Sequence, residues 1–210
     1  MADSPVAKSV ANRPLRILGI CGSTREHSRS ALAVKLCLEM AAQRGGEGRI
    51  LDLRATELPL YRPDREASSD HLTKASADVD WADAMILATP DYHGSMSGVM
   101  KNFLDYYWEE FAGKLFGYIC TSHEKGLTVM DHMRTVVRQC YGWSLPYGVS
   151  LDSRADFDAD DQIKNAAVER RLKMMAHDLV VYGAAIRGQF LADLAGEEPS
   201  TYAAAYRPNR

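Results

Sequence analysis

Residues 15–30 read LRILGICGSTREHSRS, a short apolar run followed by a polar segment rich in hydroxyl groups. Pro14 and Gly22 bound the apolar run, whose length and composition predict a β-strand covered on both faces. Apolar residues then recur at three-to-four spacing from about Ser30, which predicts a helix. A buried strand that leads through a polar turn into a helix is the repeating unit of α/β proteins.

The same alternation continues along the chain. Further strands are predicted at residues 49–53, 84–89, 114–121 and 145–151. Helices are predicted at about 30–45, 71–81, 99–111, 127–141 and, after the acidic segment 152–161, up to Gly183 or Gly188. Every connection is long enough to hold a helix, so five buried strands pair in parallel through right-handed crossovers. The predicted fold is an α/β doubly wound five-stranded parallel sheet with helices on both faces and ligands beyond the carboxyl ends of its strands.

The bulk properties predict one soluble domain. Its expected bounds are 14–190, with a flexible extension at 1–13 and a C-terminal extension at 191–210. No apolar run approaches the roughly 20 residues that span a bilayer, so no membrane span is expected. The first residues lack the apolar segment of a secretory signal, which favours a cytoplasmic protein. The net charge of -3 gives no basic field for phosphates, so nucleic acid is not expected as a partner.

The four cysteines are widely spaced and form no CxxC pair. This spacing predicts neither a zinc site nor a thioredoxin-type redox pair, and no metal ligand is assigned. Buried, reduced thiols are the expected state of the four residues, which are Cys21, Cys37, Cys120 and Cys140.

The segment from Gly22 to Ser30 has the composition of an anion site. A helix that begins there offers unpaired backbone N–H groups and the positive end of its dipole. Arg25 adds a charge-assisted donor. Hydroxyl donors come from four side chains, which are Ser23, Thr24, Ser28 and Ser30. The alternative is that one of these serines only caps the helix.

Three well-known phosphate loops do not match this segment. Neither the Walker pattern GxxxxGK[ST] nor the dinucleotide fingerprint GxGxxG follows the first strand. A thiol phosphatase requires an arginine at the sixth position after its nucleophilic cysteine, but His27 stands at that position after Cys21. Cys21 is therefore interpreted as the last inward residue of the strand.

The loop after the third strand reads TPDYHGSMSG at residues 89–98 and suits a flat polar ring. Pro90 restricts the exit from the strand. Tyr92 and His93 are suited to pack on or beside an aromatic face, and the backbone of residues 91–94 offers groups for its edge. Ordinary surface packing of Tyr92 and a solvated His93 remain alternatives.

Together the two loops resemble the NADPH-dependent FMN reductase family. The resemblance rests on the pattern GSxRxxSxS at 22–30 and on TPDYHGSMSGVMKNFLDY at 89–106, and it extends over residues 15–151. The family is a flavodoxin-like group of flavin, quinone, azo and chromate reductases, which implies the strand order 2-1-3-4-5. The resemblance implies that the FMN phosphate is held by Ser23, Arg25, Ser28 and Ser30. It implies that the isoalloxazine ring is lined by Pro90, Asp91, Tyr92, His93 and Gly94.

The chain departs from the family pattern in these two loops. The family often has Asn at the position of Ser30 and Glu-Tyr-Asn at the positions 91–93. Both exchanges keep hydrogen-bonding capacity. The family also often has Pro at the position of Ser97, so this chain lacks the constraint of a proline ring there.

The loop after the fourth strand departs further. The family carries a small, glycine-rich loop where this chain has TSHEKG at 121–126. Ser122 and His123 are candidates for contact with the flavin. Lys125 is a candidate for contact with the cofactor or the substrate.

The resemblance implies that bound FMN takes hydride from NADPH and passes electrons to a quinone, a flavin, an azo compound, a metal oxyanion or oxygen. This chemistry belongs to the flavin, so no side chain is assigned as catalytic. Two other functions stay open. One is a flavodoxin-type electron carrier without nicotinamide turnover, and the other is a non-flavin module that binds a phosphate ester.

The segment after the third strand is unusually aromatic. Its five rings are Phe103, Tyr106, Tyr107, Trp108 and Phe111. They indicate either an intrachain core or a subunit interface, and Tyr202 and Tyr206 of the tail are candidates to contact a partner subunit. We expect a homodimer or homotetramer.

Overall fold

One parallel sheet forms the centre of the computed structural model, which describes residues 13–207. Its strands are β1 (Leu15–Cys21), β2 (Gly46–Asp52), β3 (Ala84–Pro90), β4 (Leu115–Thr121), β5 (Trp143–Ser144) and β6 (Val149–Leu151). The order is β2-β1-β3-β4-β5, and β6 also pairs with β4. The predicted fold class and strand order are confirmed.

Helices cover both faces of this sheet. They are α1 (Arg29–Ala42), α2 (Asp70–Trp81), α3 (Gly98–Asp105), α4 (Leu127–Gln139) and α5 (Ala166–Ala195), with short 3-10 helices at Glu109–Phe111 and Tyr202–Tyr206. Successive residues of β3 face opposite cores: Met85 and Leu87 pack with α2, α3 and α4, and Ile86 packs with α1 and α5. The strand is continuously apolar because both faces are buried.

The fifth predicted strand is interrupted. Residues 145–151 were expected to form one strand, but the structure has β5 before Pro146 and β6 after Gly148. The Leu145 amide still donates to the Phe116 carbonyl at 2.9 Å, and Pro146 then has no N–H to continue the ladder. β2 also differs from the expected burial because it is an edge strand, in which Ile50 is exposed.

The last helix is longer than predicted. It passes Gly183 and Gly188 and continues to Ala195, so the expected domain boundary at residue 190 falls inside it. A Cβ on Gly183 would lie 2.8 Å from the Leu15 Cδ2 atom, so close packing against β1 requires a glycine there. A glycine inside a helix costs about 1 kcal/mol relative to alanine and does not by itself end the helix.

Both chain ends were expected to be extensions of the domain. Most of the predicted flexible segment, residues 1–12, lies outside the described residues. Its last residue is fixed, because the Arg13 guanidinium donates to both Asp83 carboxylate oxygens at 2.6 and 2.8 Å.

In the C-terminal tail, the rings of Tyr202 and Tyr206 lie 5.4 and 5.9 Å from that of Phe190. Both tyrosines thus pack against α5 of their own chain, and their contact with a partner subunit stays a prediction.

The aromatic segment belongs mainly to the core. Phe103, Tyr107 and Phe111 are buried, whereas Trp108 is 61% exposed. Within residues 13–207, no helix is long and apolar enough to cross a membrane, and no side-chain cluster suits a metal ion.

The cysteines are free and buried, as expected. Burial raises the pKa of the Cys21 and Cys37 thiols to about 12, which keeps both protonated at neutral pH.

Candidate functional site

Three loops, which follow β1, β3 and β4, enclose one cavity of about 660 Å³ at the carboxyl edge of the sheet. Eleven of the predicted site residues line this cavity, namely Ser23, Arg25, Ser28, Ser30, Pro90, Asp91, Tyr92, His93, Gly94, Ser122 and His123. Two further candidates, Thr24 and Lys125, line other cavities. The parallel pairing of β1 with β3 and of β3 with β4 brings the three loops together.

The loops after β1 and β3 are joined through Gly22. Its amide donates to the Ala88 carbonyl at 2.7 Å, and a Cβ at this position would lie 2.9 Å from Met100. The buried Ser97 hydroxyl donates to the Gly22 carbonyl and accepts from the Met100 amide at 3.3 Å. These bonds supply the constraint that a proline at position 97 would have provided.

The β1 loop presents unpaired backbone donors. Of the amides at positions 23–30, only that of Arg25 has an acceptor within residues 13–207, the Ser23 hydroxyl at 3.3 Å. The amides of Arg29 and Ser30, the first two residues of α1, are open to a ligand, and the positive end of the helix dipole lies at the same place.

Arg25 is the uncommitted cation of this loop. The neighbouring charges are paired, Glu26 with Arg54 at 2.5 Å and Arg29 with Asp161. Arg29 also lies over the ring of Phe157. No carboxylate in the described part of the chain pairs with Arg25, so its guanidinium is available to an anion.

The serines at the start of α1 have both structural and donor capacity. The Ser28 Oγ accepts from the Ala31 amide at 3.3 Å, so Ser28 is the N-cap of the helix. A capping serine still has its O–H to donate. The Ser30 hydroxyl is almost fully buried and lies 2.7 Å from that of Thr121. One hydroxyl of this pair donates to the other, which leaves a single O–H for a ligand.

The β3 loop is braced by Asp91. One carboxylate oxygen accepts from the Gly94 amide and the other from the Ser122 hydroxyl, both at 2.8 Å. Asp91 therefore joins the β3 and β4 loops. His93 and Gly94 have left-handed backbone angles, with φ of 59° and 77°. No acceptor for the His93 amide is present among the described residues, so this N–H is free for a ligand.

The β4 loop is held by Asp152. The amides of Ala155 and Arg154 each donate to this carboxylate at 2.8 Å, and the ring nitrogen Nδ1 of His123 lies 2.8 Å from it. The Ala155 amide, and then the His123 ring, lower the pKa of Asp152 to about 2. Asp152 is therefore ionised at neutral pH and fixes the orientation of His123.

The cavity also contains residues that the sequence interpretation did not select. They are His27, Arg29, Thr121, Glu124, Gly126, Leu127, Thr128 and Ser153. Thr121 was detectable in principle, because it ends a predicted strand at the ligand edge. Leu127 is exposed in the first turn of α4, and a large apolar side chain at such a position is a second signal of a ligand site.

The sequence model of NADPH-dependent FMN reductases matches residues 15–156. The chain belongs to the NADPH-dependent FMN reductase family. As a member of this family it is an NAD(P)H-dependent oxidoreductase with FMN as its cofactor. Membership favours an enzyme over the two alternatives, a flavodoxin-type electron carrier and a non-flavin phosphate-ester module.

Two relatives of this FMN reductase are similar over most of its length. An NADPH azoreductase of Bacillus sp. (strain OY1-2) is 26% identical over 170 residues, which cover 79% of this chain and 89% of the azoreductase. The NADPH-dependent FMN reductase ArsH of Shigella flexneri is 28% identical over 184 residues, which cover 83% of this chain and 71% of ArsH.

Solved structures agree with the FMN reductase fold. The apo form of an NADH:FMN oxidoreductase (EMOB) superposes with a TM-score of 0.66 at 24% identity, over 89% of this chain and 93% of EMOB. The NAD(P)H:acceptor oxidoreductase FerB of Paracoccus denitrificans gives a TM-score of 0.64 at 18% identity, over 81% of this chain and 98% of FerB.

Proposed function

We propose that the cavity between the β1, β3 and β4 loops binds FMN and that the enzyme transfers electrons from NADPH to a small-molecule acceptor. The main support for the proposal is that one cavity combines an anion-binding surface with a surface suited to a flat ring. The β1 loop supplies unpaired amides, hydroxyls and a free guanidinium, and the β3 and β4 loops supply rings and a turn with a free amide. The donor set fits a phosphomonoester joined to a flat polar ring.

The phosphate of FMN is assigned to the start of α1. Ser23 and Ser28 each accept from a backbone amide through Oγ, which leaves both O–H groups to donate. Ser30 adds the donor that it shares with Thr121. Arg25 adds a positive charge, and a hydrogen bond to a charged group contributes about 1.5 to 3 kcal/mol.

The ring of FMN is assigned to residues 90–94 with Ser122 and His123. The braced position of Asp91 gives the turn a defined shape before any ligand binds. Tyr92 is 45% exposed and the His93 amide is free, so both are open to the ring face and the ring edge. Bound FMN supplies the hydride chemistry, and these residues bind, orient and partly cover it.

The acceptor is proposed from the family and from its relatives. A quinone, a flavin, an azo compound, a metal oxyanion or oxygen all suit an open flavin site. The azoreductase relatives make an azo compound the first acceptor to test. Four free, buried thiols support a cytoplasmic location, and a homodimer or homotetramer stays a prediction.

The test is reconstitution followed by rapid kinetics. The purified protein is incubated with FMN, desalted and scanned for the flavin absorbance bands, and then mixed with NADPH or NADH in a stopped-flow instrument. We expect retained FMN that is bleached by a nicotinamide and reoxidised by at least one acceptor of the panel. A protein that stays colourless after the incubation would refute the proposal.

A further inference from the structure

A second cavity, also of about 660 Å³, adjoins the proposed FMN cavity. Ser122, His123 and Leu127 line both cavities, so the β4 loop and the first residue of α4 form a shared wall. The second cavity continues from this wall to the break between β5 and β6 and to the first turns of α5. A ligand longer than a flavin ring therefore has two adjacent cavities on either side of these three residues.

The second cavity contains cationic side chains that form no ion pair among the described residues. Its cations are Lys125, Arg134 and Arg171. Arg134 pairs with Asp131 at 2.9 Å. Neither Lys125 nor Arg171 has a carboxylate partner between residues 13 and 207. Two cationic side chains are thus free to meet an anion.

The carboxylates of this cavity are already occupied. Asp152 accepts from His123 and from the amides that follow it. Asp156 is 6% exposed and accepts from the Asp152 amide at 2.7 Å and from the Asn165 side-chain amide at 2.6 Å. Neither carboxylate forms an ion pair with Lys125 or Arg171, so both cations are available to an anionic ligand.

A fixed aromatic ring lies beside one of the cations. The Arg171 guanidinium carbon is 5.7 Å from the centroid of the Tyr147 ring, which also lines the cavity. The Tyr147 hydroxyl donates to Asp178 at 2.6 Å, which holds the ring in place. A planar ring system that carries a phosphate matches this combination.

We infer that the second cavity binds the 2′-phosphorylated adenosine of NADPH, with Arg171 and Lys125 on the 2′-phosphate and Tyr147 against the adenine. The inference rests on the proposed function, which places the nicotinamide in the first cavity. An extended dinucleotide has an aromatic group at each end and therefore suits two cavities that share a wall. NADH lacks the 2′-phosphate, so the two cations favour NADPH.

Binding of adenosine fragments tests this site without turnover. The FMN-loaded protein is titrated in a calorimeter with 2′,5′-ADP and with 5′-AMP, which lacks only the 2′-phosphate. We expect 2′,5′-ADP to bind about tenfold more tightly or better, as for charge-assisted bonds to one phosphate. The double variant Lys125→Gln/Arg171→Gln should lose this difference.

Arg170→Gln is the matched control, because Arg170 precedes Arg171 on the same helix but does not line the cavity. It should keep the full preference for 2′,5′-ADP. Equal binding of the two fragments to the unaltered protein would overturn the inference. So would a loss in Arg170→Gln as large as that in the double variant. A double variant that weakens both fragments equally would also overturn it, because the two cations would then bind the 5′-phosphate.

Stopped-flow reduction separates this inference from the proposed function. In Arg171→Gln, the NADPH concentration for half-maximal reduction should rise about tenfold at an unchanged limiting rate, and the values for NADH should not change. The inference alone would be refuted if NADPH and NADH reduced the flavin equally well and the protein also bound 2′,5′-ADP no more tightly than 5′-AMP. A failure of both nicotinamides to reduce the flavin would refute the proposed function.

Discussion

Replacing Lys114 with methionine perturbs a buried charge at the edge of the sheet opposite the cavity. Lys114 precedes β4, is only 3% exposed, and donates from Nζ to the Val79 carbonyl. Burial, and then the positive charge of Arg187, lower its pKa from 10.5 to about 8. The folded protein therefore keeps an ammonium group in a place that disfavours its charge.

The magnitude follows from the two pKa values. Near pH 7 the lysine is charged in both the folded and the unfolded chain, and the lowered pKa corresponds to about 3 kcal/mol of lost stability. Between about pH 8 and 10.5 the unfolded chain binds more protons at this site than the folded one. For the natural chain, the free energy of unfolding therefore rises with pH through this window. Lys114→Met lacks this rise, because it has no titrating group at the position.

Urea unfolding followed by circular dichroism between pH 7 and 10.5 measures the effect. Lys114→Met also loses the bond to Val79, so its stability at one pH is a poor test. The difference between variant and natural protein should instead change by about 3 kcal/mol over this range, with the natural protein gaining. Lys35→Met, at an exposed lysine, is the matched control and should give a constant difference. Parallel pH curves for Lys114→Met would refute the reasoning.

Three further predictions concern the site and its scaffold. Arg25→Ala should weaken FMN binding by about 1.5 to 3 kcal/mol in a fluorescence titration, and an unchanged affinity would remove Arg25 from the phosphate site. Ser97→Ala should lower the free energy of urea unfolding by about 1 to 3 kcal/mol, since it leaves a buried carbonyl without its donor, and a loss below the error of the fit would show that the loops are held otherwise. Gly113→Ala should destabilise the protein by more than about 2 kcal/mol, because φ is 69° and the new Cβ would lie 2.2 Å from the ring of Phe190; a thermal midpoint equal to that of the natural protein would contradict this.

Features encoded within a few residues were predictable from the sequence. The bounds of β1 agree with the apolar run between Pro14 and Gly22, and Ser28 caps the helix that was expected to begin beside it. These signals depend on backbone sterics and on the burial of one strand. The strand, the turn and the helix start together placed four of the eleven predicted residues that line the cavity, namely Ser23, Arg25, Ser28 and Ser30.

Features that depend on contacts between distant parts of the chain were not predictable. The length of α5 is one case, because Gly183 is an interior helix residue that lets β1 approach and therefore does not mark a helix end. Ser30 is another, since its hydroxyl pairs with Thr121 on a strand 91 residues away. Asp91 is a third case, since one of its carboxylate oxygens accepts from Ser122 in the loop after another strand. A single sequence does not show such partners.

The interruption at Pro146 also affects how copies of this chain can associate. An uncovered strand at the border of a sheet offers a row of N–H and C=O groups to any other chain, which promotes uncontrolled aggregation. Here the border beyond β4 consists of a two-residue strand and a three-residue strand separated by a proline. Too few consecutive groups remain to extend the sheet across this border into a second molecule. An assembly of defined size that forms on this side of the molecule must therefore be held by side chains.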